Sequence, residues 1–435
     1  MPSSSLNRRV VWAWSLYDFA NSAFTTLVVT FIYATYFTQA IADDVVVGTE
    51  LWSRAVTLTA IFVAILSPYL GAIADRGGFR KRFLLMSTLV CIVATVVLYF
   101  AGPGDVLMAL AWFVIADVAF EMGNVFYNAF LPDISTPDKI GRVSGYGWSL
   151  GYVGGLLCLI VGFYVLVAPD QPPFGLSKEL GEHVRATNLL VAAWFTLFSI
   201  PIFIFVKERH PPELPPIGTL VRSANRQLLN TFQEIRQFKD IFWLLFARLI
   251  YNDGLVTIFA FGGIYAAGTF GFSTEDIFMF GISLNVAAGL GAFLFGFVDD
   301  RIGGRSTILF SLVLLSASSL LAVTTTSNAL FWLAAIGVGL AAGPNQSASR
   351  SLMGRFVPID KENEFYGFFA FSGKATAFMG PLLLGMLTGV FESQRVGVAT
   401  VLLFFVVGAF VLLKVDERRG TARADLAVVV APPIA

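Results

Sequence analysis

Apolar stretches recur along the whole chain, and each is bounded by a short segment rich in charge, glycine or proline. A helix that crosses the hydrocarbon core of a bilayer needs about 20 mostly apolar residues. The pattern therefore predicts an all-α membrane protein with twelve spanning helices. They cover roughly residues 10–39, 53–74, 83–101, 106–130, 142–168, 187–206, 241–268, 275–298, 306–325, 329–350, 364–390 and 396–414.

The longest segment outside the predicted spans divides them into two groups of six. We expect an N-terminal bundle over 1–206, a cytoplasmic linker over 207–240, a C-terminal bundle over 241–414 and a cytoplasmic tail over 415–435. In the linker, Leu228, Phe232 and Ile235 fall on one helical face, which favours a helix lying on the inner membrane surface. A soluble helix that ties the two halves together fits the same pattern.

Basic residues are concentrated in alternate loops, as expected of loops on the cytoplasmic side. If both termini are cytoplasmic, the basic residues of the outer loops are Arg54, Lys178, Arg185 and Arg395, against a total of 29. Composition agrees with a membrane protein, because 13% of the residues are charged and the mean hydropathy is +0.75. Soluble domains carry about 25% charged residues.

Several function classes lack support in the sequence. The net charge of zero gives no electrostatic basis for binding nucleic acid. The cysteines Cys91 and Cys158 lie in apolar stretches, which predicts neither a disulfide framework nor a zinc site. The histidines His183 and His210 lie in predicted loops, and the sequence contains no nucleophile elbow or phosphate-binding loop. We therefore expect no enzyme activity, no cofactor and no metal.

A short motif occurs twice, at the inner end of the second predicted helix of each half. Residues 71–82 read GAIADRGGFRKR and residues 296–305 read GFVDDRIGGR. An aspartate at a helix end can accept hydrogen bonds from the N-terminus of a neighbouring helix, and arginines can pair with it or face lipid headgroups. The pattern predicts a latch on the inner side, although a purely topological role for the basic residues is the alternative. The predicted gating residues are Asp75, Arg76, Arg80, Asp300, Arg301, Arg305 and Arg350.

The repeated motif resembles the loop motif of the major facilitator superfamily. Four further segments resemble its vacuole-effluxer, autophagy-related permease-like branch, and together they cover most of the chain: WSLYDFANSAF at 14–24, SGYGWSLGYVGG at 144–155, GPNQSASRS at 343–351 and YGFFAFSGKATAFMGP at 366–381. The resemblance implies the major facilitator fold, in which two pseudo-symmetric six-helix bundles alternate access to a central site. It also implies amino-acid export from a fungal vacuole. The compact chain resembles bacterial-type members, for which a cell (inner) membrane location is expected.

One glycine-rich segment departs from a related pattern. Gly147, Gly151, Gly154 and Gly155 resemble part of a motif of superfamily exchangers, but Tyr152 stands where that motif has proline. We therefore infer no antiport from it. The spacing of Gly147, Gly151 and Gly155 predicts close packing of two helices through small residues.

The fourth predicted helix carries a polar stripe, made of Asp117, Glu121, Asn124 and Asn128. These positions share one helical face, which cannot point into lipid. The stripe predicts a cavity wall, or alternatively a hydrogen-bonded seam between helices. Two carboxylates one turn apart repel if both are ionised. A proton shared between them could therefore be loaded on one side of the membrane and released on the other.

Other ionisable groups fall inside predicted spans, where each costs about 2.5–3.5 kcal/mol and so needs a partner or a task. Asp18, near Asn21, could bind a substrate ammonium, carry a proton or pair with Arg248 or Lys374. Arg248 suits a carboxylate because its fork binds both oxygens, unless it reaches toward the inner surface. Lys374 could neutralise Glu121 or Asp117, or meet an anionic substrate. Asn252, Asp253 and Gln346 complete the candidates; Pro344 is expected to break the tenth helix beside Gln346.

An amino acid needs a cationic and an anionic site close together, and these residues could supply both. We therefore expect a secondary transporter of amino acids or similar zwitterions, with protons as a coupled ion, membrane lipids as surroundings and a monomeric state. A multidrug or organic-ion exporter is the alternative, because the 43 phenylalanines could wall an apolar pocket. A receptor or scaffold that transports nothing is a more remote one.

Overall fold

The computed structural model describes residues 6–208, 238–359 and 361–430. For Arg76, Gly77, Thr274 and 425–430 it describes the backbone alone. It contains twelve long helices, one for each predicted span. They are α1 Arg8–Ile41, α2 Val45–Gly77, α3 Arg80–Leu98, α4 Val106–Asn128, α5 Ile140–Val167, α6 Glu182–Phe205, α7 Lys239–Phe270, α8 Thr274–Ile302, α9 Gly304–Thr324, α10 Asn328–Phe356, α11 Glu362–Phe391 and α12 Gln394–Leu412. The predicted surface helix of the linker lies outside the described residues.

Several of these helices run further than the hydropathy pattern predicted. α2 begins at Val45, because the side chain of Asp44 caps its first turn by accepting hydrogen bonds from the backbone N–H groups of Val46 and Val47 at 2.8 and 3.1 Å. The tail contains a further helix, α13, over Glu417–Val430. Eleven of the twelve long helices in the described part of the chain combine the length and hydropathy of a spanning helix.

α10 differs from the prediction in a second way. Its 29 residues are long enough to span, but the second half is small and polar. Pro344 was expected to break this helix, and that expectation is wrong, because α10 continues through it to Phe356. The carbonyl of Leu340, which the proline ring deprives of its helical donor, lies against Gly291 of α8. The absence of a side chain there leaves room for the distorted turn.

The two halves meet along two pairs of helices, and glycines set the distance between them. Gly71 of α2 lies against the backbone of Asn363 in α11, and Gly367 of α11 lies against the backbone of Ser67. α5 and α8 approach in the same way at Gly145 and Ala292. These contacts bring the inner ends of the halves together.

Inside the N-terminal half, the predicted small-residue face of α5 packs on α1. Gly151 lies against Ser22 and Gly155 against Thr26 of α1, so the prediction of close helix packing is confirmed. Gly147 faces Asp18 of α1, where a side chain would collide with the carboxylate. Where α5 packs on α1, the space beside Gly147 is therefore filled by the carboxylate of Asp18.

Candidate functional site

A buried ion pair joins the two halves of the molecule. The guanidinium of Arg350 in α10 donates from Nη1 to the carboxylate of Asp18 in α1 at 2.9 Å. The sequence offered Arg248 or Lys374 as partners for Asp18 and placed Arg350 at the cytoplasmic gate. The structure corrects the first point, because α10 continues past Pro344 and brings Arg350, which is 3% exposed, against Asp18. The gating role of Arg350 stays a prediction.

Each nitrogen of the Arg350 guanidinium donates at least one hydrogen bond. Nε donates to the hydroxyl of Ser144 at 2.9 Å, Nη2 to the carbonyl of Ser144 at 2.7 Å, and Nη1 also to Asn128 at 3.2 Å. The guanidinium carbon lies 4.8 Å from the ring centre of Trp14, which favours a cation through the electron-rich ring face. Arg350 is therefore built to hold the halves together rather than to bind a substrate.

A second ion pair crosses between the halves on the polar stripe of α4. The Nζ of Lys374 in α11 lies 2.7 Å from the Oε1 of Glu121. Of the two partners that the sequence allowed for Lys374, the structure thus selects Glu121. The side chains of Lys374 and Glu121 are 33% and 16% exposed, so this pair borders open space, unlike the pair of Arg350. The acid again belongs to the N-terminal half and the base to the C-terminal half.

The rest of the stripe follows the same wall. Asn124 accepts a hydrogen bond from Asn21 of α1 at 3.0 Å, and Asn128 reaches Arg350. Asp117 is buried one turn from Glu121 and lies within electrostatic reach of Lys374. The stripe therefore combines the two roles that the sequence left open. It forms a hydrogen-bonded seam with α1 and also borders the space beside Glu121.

α7 faces α11 through the candidates of the seventh span. Arg248 donates from Nη1 to the carbonyl of Phe369 at 2.7 Å and to the hydroxyl of Ser372 at 3.0 Å. It does not extend to the inner surface, so the alternative that it reaches toward headgroups is wrong. Among the residues that the structure describes, Arg248 forms no ion pair with a carboxylate, and none of the hydrogen bonds described for it uses Nη2 or Nε.

Asn252 and Asp253 continue this contact with α11. The amide of Asn252 donates to the carbonyl of Gly373 at 2.9 Å, and Asp253 accepts a hydrogen bond from Thr376 at 3.3 Å. Gln346 is half-buried in α10, on the turn before Arg350. The structure thus brings Arg248, Glu121 and Lys374 together, while Asn252 and Asp253 bind the backbone and a hydroxyl of α11.

The inner ends of the halves are joined by the two aspartates of the repeated motif. The carboxylate of Asp75 accepts hydrogen bonds from the backbone N–H groups of Asn363 and Glu364 at 2.9 and 2.8 Å. The carboxylate of Asp300 accepts from Gly141 and Arg142 at 2.9 and 3.2 Å. Each aspartate lies at the positive N-terminal end of a helix in the opposite half, as the sequence predicted for a latch.

The sequence left two alternatives for the arginines of the motif, which were pairing with these aspartates or facing lipid headgroups. Arg80 pairs with Asp133 at 2.7 Å and with Glu362 at 3.1 Å. Arg305 donates to the carbonyl of Leu413 at 2.9 Å, and Arg301 is exposed. The arginine that pairs with Asp300 is Arg142, which the sequence analysis did not select. The side chain of Arg76 lies outside the described part of the structure.

The comparisons with known proteins identify the family. A sequence model described as "Vacuole effluxer Atg22 like" matches residues 51–425. The chain belongs to this family. It is 27% identical to the Bacillus subtilis (strain 168) protein named uncharacterized MFS-type transporter YxiO, over 94% of this chain and 95% of that protein. This Atg22-like chain is also 23% identical to autophagy-related protein 22 of Saccharomyces cerevisiae (strain ATCC 204508 / S288c), over 85% of this chain and 78% of that protein.

Solved structures place the Atg22-like chain in the major facilitator fold. A double-tryptophan variant of XylE superposes with a TM-score of 0.74 at 13% identity, over 97% of this chain and 98% of that one. The human organic anion transporter MFSD10 (TETRAN) gives 0.72 at 15% identity, over 93% and 99%. At these identities the likeness establishes the fold alone. Membership of the Atg22-like family makes the chain a multi-pass membrane protein and a secondary transporter of the major facilitator superfamily, which is a family of transporters and not of enzymes.

One polar cluster of this Atg22-like transporter was missed in the sequence. Asp299 pairs with Arg355 at 2.6 Å and accepts a hydrogen bond from Ser351. Glu417 of α13 lies 3.2 Å from Arg355 and accepts the backbone N–H groups of Gly304 and Arg305 at 3.0 and 2.9 Å. The doublet Asp299-Asp300 was the available signal. Two adjacent acids at a helix end point in different directions and therefore need two sets of partners.

Proposed function

We propose that this transporter carries amino acids or similar zwitterions by alternating access, and that the Glu121–Lys374 pair couples their movement to protons. The observation that carries the proposal is the placement of that pair. Its acid and its base belong to opposite halves, are 2.7 Å apart and border open space. A zwitterion carries both charges and can replace each member of the pair at the same time.

The charges beside the pair favour a carboxylate on the C-terminal side. Lys374 can release Glu121 and turn to a substrate carboxylate, and Arg248 lies within electrostatic reach of both. A guanidinium with N–H groups to spare can bind such a group through two parallel hydrogen bonds. The substrate ammonium would then bind the neighbouring carboxylate of Asp117, because Glu121 carries the proton in the loaded state. Membership of the vacuole-effluxer family supports amino acids as the substrate class.

Proton coupling follows from the same three groups. Asp117 lies one helical turn from Glu121 and near Lys374, so two carboxylates share one neighbouring cation. A proton that binds Glu121 removes its charge and frees Lys374 for the substrate. Loss of the proton on the other side of the membrane restores the ion pair and expels the substrate. The cycle needs the two halves to separate, because each half holds one member of the pair.

We propose that the two bundles move as units during alternating access. The moving units are the bundles over 1–206 and 241–414, joined by the segment 207–240. The latches at Asp75 and Asp300 hold the inner side shut, and both termini lie in the cytoplasm of a cell with a bacterial-type membrane. We expect the transporter to act as a monomer.

The test is uptake of pooled labelled amino acids into proteoliposomes, with and without an imposed pH gradient, for the wild type and Glu121→Gln. The proposal predicts gradient-driven uptake in the wild type and loss of the gradient's effect in the variant. Asp43→Asn, at an exposed loop position, is the control. If folded protein takes up no amino acid but transports organic ions or dyes, the exporter alternative replaces this proposal.

A further inference from the structure

The eleventh helix is interrupted immediately after the lysine of the proposed coupling pair. Helical structure covers Glu362–Lys374 and Met379–Phe391, and the residues between them form a turn. There the backbone N–H of Ala377 donates to the carbonyl of Lys374 at 3.3 Å, and that of Met379 to Thr376 at 2.7 Å. These bonds join residues three apart, and such a tightened turn inside a helix is often a hinge.

Proline and the neighbouring helix cause the interruption. The ring of Pro381 excludes a helical hydrogen bond to the carbonyl of Ala377, which lies inside the turn. The carbonyl of Gly373 lacks its helical donor and accepts the amide of Asn252 at 2.9 Å. The hydroxyl of Thr376 donates to the carbonyl of Leu249 at 3.0 Å and lies 3.3 Å from Asp253. α7 therefore supplies the partners that the interrupted helix needs.

The two parts of α11 differ in their packing. The inner part, Glu362–Lys374, packs chiefly on α2 of the N-terminal half and also on α7, and it carries the coupling lysine and the N–H donors of the Asp75 latch. The outer part, Met379–Phe391, packs on α7 and α12 of the C-terminal half. Gly380 fixes the start of the outer part, because it lies against Thr257 and the backbone of Asp253.

The outer part also has a face without packed neighbours. Leu382 and Met386 are 54% and 57% exposed, and a methyl group added at Gly385 or Gly389 would meet no atom within 4 Å. These four positions share one helical face. Small residues on such a face permit close approach of a second helix. The antiparallel contact of α2 with α11 already pairs Gly71 with Asn363 and Ser67 with Gly367. Continued outward, the same register brings exposed Ser53 opposite Pro381, next to exposed Leu382.

We propose that the interruption of α11 is a hinge on which its outer part closes against α2 while the inner latch is still shut. Asn252 and Thr376 are the positioning residues of this hinge. An unbroken α11 would tie the outer closure to the inner opening, because a rigid rod moves both ends together. The hinge separates the two events and so produces a state closed on both sides. This inference uses the proposed alternating access and does not depend on the substrate.

The experiment is a cross-link between the outer ends of α2 and α11. The variant Ser53→Cys/Leu382→Cys is treated in membranes with a short thiol cross-linker, and the joined peptides are quantified by mass spectrometry. Both native cysteines are buried and do not compete. The same protein also carries Ser67→Cys, at a position that is buried between α2 and α11. Reaction of this cysteine with an impermeant maleimide reports that the inner side has opened. The hinge predicts a cross-link while that reporter stays unreactive.

The hinge variants then decide the cause. Pro381→Ala allows a continuous helix. It should lower the yield of the cross-link, or it should make the cysteine of Ser67→Cys react whenever the cross-link forms. Thr376→Val removes the hydroxyl at constant shape and should lower the yield about fivefold, since one hydrogen bond is lost. Thr376→Ser keeps the hydroxyl and should restore the yield. Thermal unfolding of each variant confirms that it is folded.

Two outcomes would overturn the hinge. One is the absence of a cross-link in folded protein under every condition, and the other is a yield and reporter unchanged in both Pro381→Ala and Thr376→Val. Neither outcome bears on the substrate, because no amino acid is used. A failed uptake assay with normal cross-linking would remove the amino-acid proposal and leave the hinge in place.

Discussion

Asp75 and Asp300 occupy equivalent places in the two halves, and each accepts two backbone N–H groups from the first turn of a helix in the other half. The inner side of the molecule is thus shut by two related contacts, one from each half. Their partners are not equivalent, because Asp300 also binds the guanidinium of Arg142 whereas Asp75 also accepts the amide of Asn363.

The latches can be tested by removing one charge at a time. Asp75→Asn should shift the molecule toward the inward-open state by roughly tenfold, because a hydrogen bond to a charged group contributes about 1.5–3 kcal/mol. Asp300→Asn should shift it further, because an ion pair is lost as well. The measurement is the labelling rate of Ser67→Cys from the cytoplasmic side, with Asp43→Asn as the control. Equal labelling rates in the parent protein and the three variants would show that the aspartates do not hold the inner side shut.

The Asp18–Arg350 ion pair should contribute more to the stability of the protein than to substrate binding. Asp18→Asn or Arg350→Gln leaves one buried group without its partner, which typically costs about 3–5 kcal/mol. The double variant removes both charges and should recover most of that loss. The measurement is the midpoint of thermal unfolding in nanodiscs. Glu50→Gln at the exposed Glu50–Arg54 pair is the control and should change nothing. Additive losses in the double variant would contradict the coupling of Asp18 with Arg350.

The direction of the Glu121–Lys374 pair, with the acid on α4 and the base on α11, should matter as much as its presence. Exchanging the charges in Glu121→Lys/Lys374→Glu keeps an ion pair but places an acid beside Arg248. That acid would occupy the guanidinium and exclude a substrate carboxylate, so we expect at least a tenfold loss of amino-acid uptake in a protein that still unfolds at the wild-type temperature. The neutral pair Glu121→Gln/Lys374→Gln is the matched control for the charges alone. Full uptake by the exchanged variant would refute the assignment of Arg248 to the carboxylate.

The tail helix α13 should be held by its first residue. Glu417 caps the N-terminus of α9 and pairs with Arg355, so Glu417→Gln should weaken docking by about 1–2 kcal/mol. Protease cleavage within α13 should accelerate about five- to thirtyfold as a result. Glu392→Gln, exposed after the outer end of α11, is the control. An unchanged cleavage rate would mean that other contacts hold the tail.

The fold was predictable because hydropathy and charge act over whole helices. Each long helix corresponds to one predicted span, and the aspartates of the repeat lie where helix electrostatics placed them. Errors arose where one residue had two possible environments. Pro344 is a helix breaker by its chemistry, but Gly291 of another helix makes room for the distortion, and the sequence does not state that neighbour.

The candidate site was predictable in its residues and less so in its pairs. The α4 stripe is visible because all of its members lie on one helix at a helical spacing. The partners of Asp18 and Lys374 depend on how two separate bundles face each other, which no local pattern encodes. Arg350 pairs with Asp18 across the two halves, whereas the sequence analysis considered Arg350 only as a gate charge. Asn252 was selected as a polar group in a span, but its partner is the carbonyl of Gly373, which the interruption of α11 leaves without a helical donor more than a hundred residues away.

Both latches take their donors from the main chain of α5 and α11. Every residue type except proline supplies that N–H group, so side chains at Arg142 or Glu364 can change without removing the donor. Apart from the side chains of Arg142 and Asn363, an alignment of relatives would therefore record the aspartates without the main-chain donors on the opposite helices. The gate would look one-sided to any method that searches for residues changing together, although two surfaces meet there. Proline scanning of the first turns of α5 and α11 would reveal the hidden partner, because it removes the donor itself.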